Sequence, residues 1–177
     1  MAFDTAQTLR GALAGAAAAG VWAAQQRADM RVFGVQYDDT ELLGTLVTRS
    51  RASVPIGIAL HLANGAAFGA LYANIAPRVP LPSWARGPAA GLAEHAATWP
   101  LTFVSDRVHP ARKDLPTLFG SPAALAQATW RHLVFGVVLG ELERRLNAPP
   151  DPEVPSFEHV VSTNGHGAEH VVVTSAG

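Results

Sequence analysis

Four long stretches of the chain are apolar and poor in charge, running over about Thr8 to Gln26, Val54 to Ala76, Trp84 to Ser105 and Pro122 to Arg145. In the second, no Asp, Glu, Lys or Arg occurs from Ala52 to Pro77. That run exceeds the roughly 20 residues needed to cross a bilayer core. A helix of a water-soluble bundle carries a charged face, and this one has none. The first stretch is Ala- and Gly-rich, and the third carries Glu94 and His95 near its centre. A central acidic residue costs on the order of 2.5 to 3.5 kcal/mol on insertion, so the third stretch needs its neighbours to insert.

Punctuation fits these boundaries. Ser53 with Pro55, and Ser121 with Pro122, put a capping hydroxyl and a proline at the first turn of the second and fourth helices. Asn74, Pro77, Pro80 and Pro82 close the second helix, and Pro100 predicts a kink inside the third. Trp22, Trp84 and Trp99 fall toward helix ends, as an interfacial aromatic belt requires, whereas Trp130 falls deeper. Between the first two helices, Asp39 to Arg49 predicts a short interfacial amphipathic helix capped by Asp39 or Thr40. The corresponding Arg107 to Gly120 segment is broken by Pro110 and Pro116.

The same phrases occur twice in the same order. Arg10 to Ala17 and Arg86 to Ala93 both read R-G-x-x-A-G-x-A, and His61 to Leu71 and His132 to Leu142 both read H-L-x-x-G-x-x-x-G-x-L. This order predicts an all-α, four-helix transmembrane bundle made of two tandem helical-hairpin repeats, about 8–77 and 84–146, within a membrane domain of 1–147. It also argues that the first helix belongs to the mature protein and is not a cleaved signal. On a helix, Gly11 and Gly15, Gly65 and Gly69, Gly87 and Gly91, and Gly136 and Gly140 each lie on one stripe, where small residues let two backbones approach. Residues 148–177 open on Ala148-Pro149-Pro150-Asp151-Pro152 and predict a disordered polar tail. The tail histidines His159, His166 and His170 are read as solvated.

Composition narrows the chemistry. The 177 residues have mean hydropathy of +0.16 and only 15% charged residues. A net charge of −1 offers no footprint for nucleic acid. With no cysteine, disulfides, thiolate metal sites and cysteine catalysis drop out together. Among 13 basic residues only Lys113 is lysine, a usage that points to a GC-rich bacterial source. The chain shows no nucleotide loop, nucleophile elbow or HExxH motif, and the reading is non-enzymatic.

What remains is a set of polar residues inside apolar helices: His61, Glu94, His95, Arg131 and His132. His61 and His132 are matched by the repeat, but Ala18 and Ala19 stand where the second half has Glu94 and His95. One reading makes the imidazoles hydrogen-bonding glue between helices. The other makes His61, Glu94, His95 and His132 converge on a divalent metal or a proton relay. A bis-histidine haem has no attachment motif, and no cofactor is assigned. Arg131 needs a partner when buried, and Glu94 is the expected one.

Over roughly Arg10 to Leu146 the H-L-x-x-G-x-x-x-G-x-L phrases, the proline before the last helix and the small size resemble the YagU-like family of small bacterial inner-membrane proteins. That resemblance implies a multi-pass protein of the bacterial inner membrane with no assigned activity, and it carries over no catalytic residue. The expected role is a structural or accessory subunit in contact with the lipid bilayer and with other membrane helices or further copies of itself. An ion, proton or metal conduit built on the central His/Glu cluster is the alternative.

Overall fold

The computed structural model describes residues 4–148, and these are helical with no strand among them. In order they are α1 (Thr5–Phe33), α2 (Asp39–Val47), α3 (Ser53–Ile75), α4 (Ser83–Thr98), α5 (Leu101–Val108) and α6 (Pro122–Leu146), with a single 3₁₀ turn at Ala76–Arg78 after α3. The tail histidines lie outside the described residues.

Several boundaries differ from the sequence expectation, each for a local reason. The first helix runs seven residues past Gln26 and ends where Gly34 turns left-handed at φ 70°. It continues because Gln26 and Asp29, which break the apolar pattern, are buried among polar partners. The third stretch divides at Trp99-Pro100 into α4 and α5, since proline cannot continue the ladder. Ser121 caps α6 by accepting the Ala124 amide, with Pro122 at the first position. Ser53 does not cap α3, which starts without a side-chain cap, and Asp38 rather than Asp39 or Thr40 caps α2.

The packing of the long helices is set by glycine. Gly11 and Gly15 of α1 meet Gly69 and Gly65 of α3, and Gly87 and Gly91 of α4 meet Gly140 and Gly136 of α6. At each contact a Cβ would run into facing backbone: at Gly15 it would overlap the Gly65 carbonyl, and at Gly87 the Gly136 carbonyl. Both pairs are antiparallel, and the second is slid along its axis, for the carbonyl nearest Gly91 is that of His132 while the one nearest Gly15 is that of Gly65. Helix α2 lies across α3, where Gly44 abuts Ser53 and Gly57 abuts the Thr40 carbonyl.

The two glycine-packed pairs join through α1 and α6. Gln127, Arg131, Phe135 and Leu139, spaced four apart, form a second buried face of α6 that adjoins α1. Helices α3 and α4 do not pack along each other, and a gap stays open between them. The interior mixes small, aromatic and charged side chains, while many aliphatic ones face outward. The largest wholly buried side chains are Arg131, Leu139 and Gln127, while Leu9, Leu13, Val54, Leu71 and Val137 are each at least half exposed. On α3 the buried positions are Gly57, His61, Gly65, Gly69, Tyr72 and Ala73, and the large aliphatic residues point outward.

Candidate functional site: a cavity lined by histidines and carboxylates

Arg131 is the anchor of the interior. Its side chain has no exposure, and all five of its N–H donors have a use. The guanidinium meets Asp29 side-on, with Nε to Oδ2 at 2.7 Å and Nη2 to Oδ1 at 2.5 Å. Nη2 also reaches the Tyr37 carbonyl at 2.8 Å, and Nη1 reaches Asp39 Oδ2 at 2.7 Å and Gln26 Oε1 at 3.5 Å. Asp29 accepts a further bond from Gln127 Nε2, and Asp39 accepts from the Trp22 indole and the Tyr37 hydroxyl. Burial, and then Asp39 beside it, push the Tyr37 hydroxyl well above its ordinary value. Asp38 is half buried, which works to raise its carboxyl, yet bonds from Thr40, Glu41 and Gln26 outweigh that and hold it below the usual range.

The expected Glu94–Arg131 bridge is therefore replaced. Arg131 faces α1 and the start of α2, whereas Glu94 on α4 meets the other face of α6, where its Oε2 lies 2.7 Å from His132 Nε2. Arg131 and His132 adjoin in sequence but point about 100° apart around α6. Asp29 and Asp39 were not among the sequence candidates. A signal existed, since Asp29 lies within reach of a buried partner if α1 is extended by two turns, but it was hidden where the apolar run stops.

Five of the polar side chains line one cavity of about 350 Å³: His61 from α3, Glu94 and His95 from α4, His132 from α6, and Asp39. Arg131 stands behind Asp39 and is not in the lining. An aromatic row runs along it, with ring centroids 5.4 Å apart for His61 and Trp22, 4.6 Å for Trp22 and His132, 4.6 Å for His132 and His95, and 5.5 Å for His95 and Trp99. Trp22 is thus a wall of the cavity, 7% exposed, and not a member of an interfacial belt. Trp130, by contrast, lies near the surface and donates its indole N–H to Gln25.

The hydrogen bonds settle which ring nitrogens carry hydrogen. His61 Nε2 donates to the Ala19 carbonyl at 3.2 Å. The Thr129 hydroxyl donates to the Leu125 carbonyl, so His95 Nε2 donates to Thr129 at 3.0 Å. Both rings thereby keep Nδ1 as a bare nitrogen when neutral. His132 is different, because Nδ1 donates to the Ala128 carbonyl at 2.7 Å while Nε2 faces Glu94. With Nδ1–H directed at the carbonyl, the 2.7 Å contact is a hydrogen bond only with a proton between the two groups, as imidazolium beside carboxylate or imidazole beside carboxylic acid.

Among the described residues no group of three or more His, Asp or Glu side chains has the spacing to hold a metal ion. Comparison with protein-family models, with curated proteins and with solved structures gives no match.

Proposed function

We propose that this chain is an integral membrane protein whose central cavity is a proton-exchanging binding site built on Glu94 and His132. The observation that carries the reading is the 2.7 Å contact between Glu94 Oε2 and His132 Nε2, facing a cavity that also offers the His61 and His95 rings. Charged groups inside membrane bundles are costly, face the interior, and mark ion and proton pathways.

The membrane part of the reading is supported by the outward-facing aliphatic residues and by α3. The stretch Ser53–Arg78 is long and apolar enough to cross a membrane, and only 22% of its most apolar window is buried, unlike the core helix of a soluble protein. It is the one helix among the described residues that passes on length and composition. Helices α1 and α6 are long enough at 29 and 25 residues; their composition is lowered in part by Gln26, Asp29, Gln127 and Arg131, which are buried and bonded among themselves, and in part by exposed arginines, Arg10, Arg27 and Arg31 on α1 and Arg144 and Arg145 on α6. At 16 residues α4 is the shortest of the four crossings in this proposal, and α5 extends the same stretch beyond Pro100. The two glycine-packed pairs, each joining the first shared phrase to the second, support descent from one duplicated hairpin.

This places the protein, in the proposal, in a bacterial inner membrane, in keeping with its resemblance to the YagU-like proteins and its arginine-for-lysine usage. The role is non-enzymatic. The glycine stripes, on which a purely accessory role would draw, are engaged within the chain. Infrared titration of the protein in lipid tests the site: a protonated-carboxyl band should appear and vanish with pH, be absent in Glu94→Gln, and move in His132→Asn. A titration unchanged by either substitution overturns the shared proton.

A further inference from the structure

The geometry points to a lipophilic organic cation as the ligand of this cavity, reaching it sideways from the bilayer through the gap between α3 and α4. This rests on the proton-exchange reading of Glu94 and names what competes with the proton. Two carboxylates, Asp39 and Glu94, line the cavity, and no lysine or arginine does. Asp29 and Asp39 stand against the one guanidinium of Arg131, and the Glu94–His132 pair with its one proton is neutral overall, so the interior carries one excess negative charge while His61 and His95 are neutral. Four aromatic rings, Trp22, Phe68, Trp99 and Phe135, stand in the wall among aliphatic and neutral polar residues. Faces of such rings attract cations, most strongly where water is excluded. A small inorganic ion would instead need a shell of converging oxygen or nitrogen ligands, and the described residues form none.

The route follows from the packing. Between α3 and α4 runs an almost wholly apolar groove of about 440 Å³, from Arg86 in the first turn of α4 inward along Leu71 and Ala90. Phe68 and Glu94 belong to both groove and cavity, so a ligand moving along the groove arrives at the Glu94 carboxylate. Its volume lies in the range of small-molecule sites, and its lining suits a molecule already dissolved in lipid. When the cation docks, its charge faces the carboxylate that the shared proton had neutralised, and that proton leaves to water. The titratable and charged groups around Glu94 are His95 on its own helix, His132 on α6, His61 on α3, Tyr37 just before α2 and Asp39 at its start, and, along the groove, Tyr72 on α3 and Arg86 on α4. Protonation of Glu94 or of any of the three histidines removes negative charge or adds positive charge, so binding weakens on acidification.

Tetraphenylphosphonium titrated into the full-length protein in detergent, followed by calorimetry and tryptophan quenching, tests this. Saturable binding is expected, with proton release, and at least tenfold weaker in Glu94→Gln. Glu94→Asp, which keeps the charge, should retain binding, guarding against a variant that is merely misfolded. Tetraphenylborate has nearly the same shape and the opposite charge, and should not compete. Equal binding of the anion, or unchanged affinity in Glu94→Gln, overturns the cation site. If the cation fails to bind while the Glu94 carboxyl band still depends on His132, the ligand assignment falls and the shared proton stands; loss of both removes both.

Discussion

Arg131 shows how one buried charge decides what its neighbours do. Its five donors are saturated by Asp29, Asp39, Gln26 and a carbonyl, and with that the desolvation cost of the guanidinium is offset by attraction in a low-dielectric interior. Removing one partner leaves the others stranded. Arg131→Met should therefore cost about 3 to 5 kcal/mol, the range for breaking a buried pair, with Asp29 and Asp39 left facing each other. Unfolding in detergent would measure it, and the double variant Arg131→Met with Asp29→Leu should recover part of the loss. A cost below about 1 kcal/mol would mean that the network contributes nothing. That such an arginine needed a partner was legible in the sequence. Which carboxylate it takes was not, because a rotation of about 100° on α6 separates the Arg131 face from the His132 face that meets Glu94.

At the scale of helices, the glycine stripes make the contacts that side-chain volume would prevent. In the proposed bilayer setting lipid would give no hydrophobic drive for helix association, and close backbone approach with the dispersion contacts it allows would carry the packing. Gly15 and Gly65, or Gly87 and Gly136, leave no room for a methyl group, since its Cβ would lie within the facing backbone. Gly65→Leu and Gly136→Leu should each lower stability by about 1 to 3 kcal/mol, the usual cost of overpacking, by forcing a helix pair apart. Gly20, whose Cβ would touch only the end of Leu62 at 3.9 Å, should tolerate alanine and serves as the comparison. Thermal shifts of the three variants in one detergent would check this, and equal shifts would refute the close-packing account. These stripes were readable from four-residue spacing alone. The end of α1, the cap of α2 and the break at Trp99-Pro100 show the limits of that reading, because local composition sets where a helix tends to stop and buried partners set where it does.

For the whole molecule, the outward-facing aliphatic residues of the long helices and the uncharged α3 carry the proposal of residence in the bilayer. Alkaline carbonate should leave the protein in the membrane pellet, and release into the supernatant would remove the lateral route and every depth assignment with it. The helical class, the four long stretches, the two pairs of matching phrases and the polar positions within them follow from the chain's own periodicity, because spacing at 3.6 residues per turn is a local property. Tertiary structure alone decides that α1 adjoins α6 while α3 and α4 part, that Trp22 lies between two histidines rather than at a surface, and that Glu94 meets His132 while Arg131 turns to Asp29. Those choices depend on how each helix is rotated against neighbours tens of residues away, and no local pattern encodes that rotation.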